Sequence, residues 1–308
     1  MYNIYIDKCT YKKYTEVVNK IKRKGKRFLS IIDIETAVKG GISVKTNRAH
    51  IKQAITKGET SLGIEFGSTR TNWQIDLVTT PNGSPVGMVH ANNCSSDINA
   101  WLGLFREFSE AMGQKVEMNK LFHVLLNKAL EADPDGGGLL SYGYFSGENI
   151  TGLEKGRPLF VRSPESNFNL ANFMRTHLFT AFGALKIGMD ILKDKENVAI
   201  DSILAHGGLF KTPVVGQKIV AAAMNAPVSI MATAGEGGAW GIAILASYMM
   251  NRDQKESLED FLDKKVFEGV DRQEIYPDSF DVKGFEEFIE RYKKGLAVEQ
   301  AAVDNLIL

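Results

Sequence analysis

A strand that ends in a carboxylate and a turn of small residues is the first segment of this chain that could bind phosphate. Residues 63–69 read Gly-Ile-Glu-Phe-Gly-Ser-Thr, so Glu65 precedes a turn of Gly67, Ser68 and Thr69. Small residues let backbone N–H groups approach phosphate oxygens, hydroxyls add donors, and a carboxylate can hold Mg²⁺. An ordinary hairpin with a solvated glutamate explains these residues about as well. The pattern is not G-x-x-x-x-G-K-[ST], so a P-loop enzyme is not supported.

Two further glycine-containing segments suit the same chemistry. The first, His206-Gly207-Gly208-Leu209-Phe210-Lys211-Thr212, follows a short apolar strand and precedes a helix that contains Gln217. Paired glycines expose backbone amides and leave room for a flat base or a phosphate, although a simple packing turn is an equal alternative. The second, residues 234–243, includes Gly235, Gly237 and Gly238. Each glycine costs a helix about 1 kcal/mol relative to alanine, so we expect close approach to a sheet, to a ligand or to both.

The remaining chemically capable residues form weaker patterns. Asp133 and Asp135 flank a proline before three glycines, which favours a turn, with cation binding as the alternative. Cys94 has no acid–base partner near it in sequence, so we interpret it as a structural residue. Four of the five histidines are scattered without the spacing of metal ligands: His90, His123, His177 and His206.

The composition is that of a globular protein. The 308 residues are 44% hydrophobic and 24% charged, close to the usual values. Two cysteines, Cys9 and Cys94, cannot form a disulfide framework. No apolar run approaches the roughly 18 residues that a transmembrane helix needs, and the first residues lack an apolar signal core. These features predict free thiols, a cytoplasmic location and no membrane association.

Charge divides the chain into two parts. Residues 1–60 carry 14 Lys and Arg but 5 Asp and Glu, although the whole chain is neutral. We therefore predict a basic N-terminal extension over residues 1–58 and a folded domain over residues 59–308. The run Lys20–Arg27 could bind nucleic acid, but no aromatic residues alternate with it. A solvated helix end or a flexible extension explains this run better, and nucleic-acid binding ranks last among the functions considered.

Apolar periodicity predicts an α/β fold. Residues 62–66, 73–79 and 86–91 are predicted strands of one meander, joined by short turns. Asp97 is the predicted N-cap of a helix through Ala111, and residues 170–192 form a long helix with apolar residues spaced for burial. The later predictions are helices over 119–131, 217–224, 235–250 and 285–308 and strands over 203–206 and 228–231.

These motifs, in this order, resemble the FGGY family of sugar kinases, which belongs to the actin-like ATPase group. LGIEFGSTR resembles the family's opening phosphate hairpin, with residues 61–71 as its counterpart here. HGGLFKTPVVGQKIVAAAMNAPVSI resembles its adenosine-binding stretch, and TAGEGGAWGIAILA its glycine-containing helix. The preceding helix, ANFMRTHLFTAFGALKIGMDIL, resembles the family's interdomain helix. The resemblance is strongest to the xylulokinase and ribulokinase branch. It implies a ribonuclease H-like domain: a mixed sheet with flanking helices.

The resemblance also implies a reaction and a set of site residues. The reaction is transfer of the γ-phosphoryl group of ATP to a sugar hydroxyl, with Mg²⁺ and an aspartate base. Glu65 would contact the metal and residues 67–69 the phosphates. The residues near adenosine would be Gly207, Gly208, Thr212, Gln217, Gly235, Gly237 and Gly238. No residue corresponds to the base or to the sugar-binding domain. The alternative is therefore an inactive nucleotide-binding or oligomerisation module, which could form a homodimer.

Overall fold

The computed structural model describes six stretches of the chain: residues 61–66, 75–81, 85–196, 199–231, 237–270 and 272–306. The predictions for the basic extension, including Lys20–Arg27, lie outside these residues. Within them, the helices are α1 (Ser96–Ala111), α2 (Met118–Lys128), α3 (Leu170–Glu196), α4 (Val215–Met224), α5 (Gly237–Asn251), α6 (Leu258–Phe261) and α7 (Ser279–Asn305). The fold is α/β, as the sequence predicted.

The first sheet contains the three strands that were predicted to share one, but their order is different. β1 (Ser61–Phe66), β2 (Ile75–Thr79) and β3 (Pro85–Ala91) form a sheet in the order β1-β3-β2. β2 and β3 form an antiparallel hairpin, whereas β1 pairs with β3 in parallel. The predicted meander is therefore wrong. β3 takes the central position because Val86, Val89 and Ala91 are buried and the strand packs against α3.

The second sheet joins two parallel strands to an antiparallel edge strand. β6 (Ile203–Leu204) and β7 (Val228–Met231) are parallel, and β8 (Arg272–Ile275) pairs antiparallel with β7. The predicted strand over 203–206 is shorter than expected, although the backbone N–H of Ala205 still donates to Ser229 O at 2.8 Å. A separate hairpin contains β4 (Leu140–Tyr142) and β5 (Leu159–Val161).

Helix α3 is at the centre of the described structure. Asn169 caps it, since its side-chain oxygen accepts a hydrogen bond from the backbone N–H of Asn172 at 2.9 Å. The helix packs against α2, α4, α7, β3 and β4. The apolar residues that were predicted to face the core are all buried: Phe173, Leu178, Phe182, Leu185 and Met189. A helix that is covered on most sides acts as the core against which the other elements pack.

The start of α1 differs from the prediction at Asp97. The helix begins at Ser96 with Ser95 at the N-cap position, so Asp97 lies inside the first turn. Its carboxylate is buried and accepts a hydrogen bond from Trp101 Nε1 at 3.3 Å. Asp97 therefore binds side chains of the core instead of capping the helix.

Close packing of α7 on α3 requires a glycine at position 183. A Cβ atom added there would lie 2.6 Å from Cζ of Tyr292, which is buried. Gly183→Ala is therefore expected to lower the free energy of unfolding by about 1–3 kcal/mol, despite the better helix propensity of alanine. Gly103 is the matched control: it is also inside a helix, and an added Cβ meets no atom within 4 Å. Gly103→Ala should raise the free energy of unfolding by about 0.5–1 kcal/mol. Urea denaturation measures both, and equal effects would contradict the packing argument.

Candidate functional site

The backbone after β6 forms an open turn. Gly207 has φ +119°, a conformation that glycine adopts readily, and a 3₁₀ turn follows over Gly208–Lys211. The N–H of Phe210 donates to Gly207 O at 3.1 Å, which closes the turn. A Cβ atom on either Gly207 or Gly208 would meet no atom within 4 Å. Both glycines therefore border open space, into which a flat ligand could approach the backbone.

The entry to α4 is a strained turn. Val214 has φ +72° and ψ −50°, and the N–H of Val215 donates to Pro213 O at 2.9 Å. Together these define a γ-turn of the rare positive-φ kind, centred on a β-branched residue. Such a conformation costs on the order of 1–3 kcal/mol and occurs preferentially at functional sites. The strain lies two residues after Thr212, whose side chain is buried.

Gln217 holds α4 against the second sheet. Its side chain is buried, and Nε2 donates to Val228 O at 3.0 Å and to Gln273 O at 2.9 Å. The structure therefore uses the amide nitrogen of this residue to join α4 to β7 and β8. Its Oε1 atom has no hydrogen-bond partner among the described residues. The role beside adenosine that the resemblance implied for Gln217 stays a prediction.

The second glycine segment lies at one edge of the second sheet. β6 and β7 run in parallel, with Leu204 opposite Ser229. Both strands therefore end at the same edge, where ligands bind in open α/β sheets, and residues 205–212 follow β6 there. Gly237 and Gly238 are the first residues of α5. Gly235 lies outside the described residues.

The first glycine segment belongs to the other sheet. Glu65 lies near the end of β1, opposite His90 of β3. Its predicted companions, Gly67, Ser68 and Thr69, lie outside the described residues. Within the described ranges, no three His, Cys, Asp or Glu side chains cluster closely enough to hold a metal ion. The magnesium prediction therefore rests on Glu65 and on the chemistry of the resemblance.

His206 precedes the open turn and is partly buried. Its Nδ1 atom is buried and has no hydrogen-bond partner in the part of the chain that the structure describes. Burial lowers the pKa of this imidazole, which favours the neutral form at the mouth of the turn. The histidine was not assigned a role by the sequence, and its burial could not have been read from its position.

Three polar residues of the core resemble a catalytic triad but cannot act as one. Asp97 Oδ2 lies 3.1 Å from His177 Nδ1, and Ser141 Oγ lies 3.3 Å from the same nitrogen. A triad needs the acid and the nucleophile on different ring nitrogens. All three residues are also buried. The sequence could not reveal this cluster, because its members come from α1, β4 and α3.

The turn between α2 and β4 uses both of its aspartates structurally. Asp135 accepts from the backbone N–H groups of Gly137 and Gly138, at 2.9 and 3.1 Å. Asp133 Oδ2 accepts from the side-chain amides of Asn167 and Asn172. Their interpretation as turn formers is confirmed.

Cys94 is a free thiol. Burial, and secondarily the nearby Glu148, raise its pKa to about 12. The thiol therefore stays protonated and unreactive near neutral pH, in agreement with its interpretation as structural.

None of the helices described has the length and apolar character needed to span a bilayer.

Comparison with known proteins identifies the family of this domain. Residues 54–250 match the family described as "FGGY family of carbohydrate kinases, C-terminal domain". The xylulose kinase of Haemophilus influenzae is 27% identical over 205 residues, which are 66% of this chain and 40% of that protein.

Solved structures support the same fold. Xylulose kinase from Rhodospirillum rubrum superposes with a TM-score of 0.56 at 18% identity, over 81% of this chain and 50% of that one. Ligand-bound xylulose kinase from Lactobacillus acidophilus gives a TM-score of 0.52 at 15% identity, over 75% and 43%. The predicted ribonuclease H-like fold is confirmed. The chain spans between two fifths and one half of the length of these relatives.

Proposed function

Because this chain belongs to the FGGY family of carbohydrate kinases, we propose that it supplies the nucleotide-binding part of an ATP-dependent carbohydrate kinase. One observation carries the proposal: the turn over Gly207–Thr212 borders open space at both glycines. The turn follows β6, which ends at the same edge of the second sheet as its parallel neighbour β7. Ligands bind at this edge in open α/β sheets.

The proposed roles are those that the resemblance to the family implies. The backbone of Gly207 and Gly208, together with Thr212, contacts the adenosine, and Gly235, Gly237 and Gly238 lie beside it. Gly67, Ser68 and Thr69 bind the phosphates, and Glu65 binds Mg²⁺. The positive φ of Val214, between Thr212 and the body of α4, is a strained conformation of the kind found preferentially at functional sites.

The proposed reaction is transfer of the γ-phosphoryl group to a hydroxyl of a pentulose-type sugar. ATP supplies the phosphoryl group, and magnesium neutralises its charge during transfer. The chain's own residues hold the nucleotide. We assign none of them to the sugar or to the base that removes its proton. The sugar class rests on the xylulose kinases to which this chain is similar.

One observation favours a second candidate, a nucleotide-binding module that self-associates. Leu104 and Phe108 on α1 and Met112 at its C-cap recur every four residues, and each is more than half exposed. An apolar helical stripe of this kind is covered when two proteins associate. A monomer in sedimentation velocity at assay concentrations would remove this candidate.

Gly208 offers a sharp test of the nucleotide site. Its φ is not in the left-handed region and its surroundings are open, so Gly208→Trp should fold normally while its indole fills the proposed pocket. We expect ADP affinity to fall at least tenfold, as measured by calorimetry with Mg²⁺ present. Gly103→Trp on α1 is the control, since it also enters open space but lies on another element. Unchanged ADP binding by Gly208→Trp would contradict the assignment.

A further inference from the structure

A buried carboxyl group joins the end of α7 to the loop that precedes β5. Glu299 lies on α7 and its side chain has no exposed surface. Its Oε1 atom accepts a hydrogen bond from the backbone N–H of Arg157 at 2.6 Å. In return, Nε of Arg157 donates to Leu306 O at 2.9 Å, just beyond the helix. These two bonds join the last turns of α7 to the loop that precedes β5.

The cost of burying the second oxygen of this carboxyl group is not offset by a hydrogen bond from any described residue. Oε2 of Glu299 is buried and has no hydrogen-bond partner among the described residues. Burying an ionised carboxylate with one oxygen unpaired raises the free energy of the folded state. A proton on Oε2 removes the charge and with it most of this penalty. Burial raises the pKa of Glu299 to about 7, against the opposing effects of the hydrogen bond and the charge of Arg157.

The groups around Glu299 do not supply a second partner. Tyr142 of β4 donates its hydroxyl to Tyr292 O, and the hydroxyls of Tyr144 and Tyr292 bond to each other. Burial raises the pKa of all three tyrosines well above the ordinary value, so they stay neutral. Glu148 lies near Tyr144 and Tyr292, and burial raises its pKa as well. The guanidinium of Arg157 is directed to Leu306 O and Gly156 O.

We propose that the protonation state of Glu299 controls how firmly the end of α7 docks on the loop that contains Arg157. In its neutral form Glu299 holds the end of α7 against the Arg157 loop, and loss of its proton weakens that junction. The docked state binds the proton more tightly than the released state, in which the carboxyl group is hydrated and has its ordinary pKa near 4.5. Docking is therefore fully favoured at acidic pH and weakens as the pH rises from about 4.5 towards 7. Above about 7 the carboxyl group is ionised in both states and the penalty is constant.

Hydrogen exchange of the C-terminal amides tests this proposal in the full chain. The readout is the local opening constant of amides 300–306, obtained after division by the intrinsic exchange rates. Between pH 6 and pH 8 it should rise about tenfold in the wild-type protein. Glu299→Gln keeps an acceptor for Arg157 and cannot ionise, so its opening constant should change less than twofold. Glu290→Gln, on the exposed side of the same helix, is the control and should behave like the wild type.

Two results would overturn the proposal. One is an equal pH dependence of the opening constant in the wild type and in Glu299→Gln. The other does not depend on a variant: a titration of the Glu299 carboxyl carbon by NMR in the wild-type protein. A midpoint near 4.5 would show that the buried group ionises normally, even if Glu299→Gln fails to fold.

Discussion

Turnover well below 1 s⁻¹ is the expected result when the purified 308-residue chain is given magnesium-ATP and a panel of ketoses and polyols. Kinases of this chemistry typically reach about 1–100 s⁻¹, and their catalysis is mostly positioning plus electrostatics. All residues that we assign lie on the nucleotide side. A positioned base contributes about 10²–10⁴-fold, and orientation of the two reactants up to about 7–11 kcal/mol. A coupled assay for sugar-dependent ADP release measures this rate.

Glu65 is not expected to act as the base that removes the proton from the sugar hydroxyl. It lies at the end of β1, beside the segment proposed to bind phosphate, so its carboxylate should serve the metal ion. Sugar-dependent turnover of 1 s⁻¹ or more would show that this chain contains a base and a sugar site that we have not assigned. Turnover without sugar dependence would instead indicate hydrolysis of ATP at the proposed nucleotide site.

Arg175→Ala is expected to cause the largest loss of stability, about 3 kcal/mol or more in the free energy of unfolding. The guanidinium is buried in α3 and lies 3.0 Å from Asp281 Oδ1 at the start of α7. It also donates to Ala129 O at 3.0 Å and to the carbonyls of Asp133 and Pro134. Removal of one partner of a buried ion pair costs about 3–5 kcal/mol. Asp281 is partly hydrated, which favours the lower end of that range.

Urea denaturation of Arg175→Ala and a control measures this effect. Arg162→Ala is matched, since Arg162 is exposed and only stacks on Phe168, so its loss should cost less than about 1 kcal/mol. Arg175→Lys should fall between the two, because lysine keeps the charge but not the planar fork. Equal effects of Arg175→Ala and Arg162→Ala would mean that the buried network does not stabilise the fold.

Local patterns predicted the elements of the fold better than their pairing. The apolar stripe of α3 is visible in sequence because helical spacing is a local property. The parallel pairing of β1 with β3 is not, because two adjacent strands in sequence favour a hairpin and nothing local favours the alternative. Asp97 was placed at a helix cap by residue type, whereas its partner His177 lies on α3 and meets it only after α1 packs on α3.

The candidate site was predictable where we propose that the backbone contacts the ligand, and less so where side chains determine the geometry. Gly207 and Gly208 were recognised because glycine is needed for the φ of the first and the open approach to both. The hydrogen bonds by which Gln217 holds α4 in place go to backbone carbonyls of β7 and β8. One of these carbonyls belongs to Gln273, which is 56 residues away in sequence. Glu299 did leave one signal: a glutamate seven residues after Tyr292, on the apolar face of α7. Its buried partner could not be identified without the fold.

Calorimetric titration of the wild-type chain with ADP in the presence of Mg²⁺ tests the central claim most directly. We predict saturable binding with one site per chain. Its affinity should be lower than that of a cleft between two domains, because one wall supplies only part of the contacts. The absence of binding at millimolar ADP would contradict the claim that the open turn at Gly207 and Gly208 is a nucleotide site.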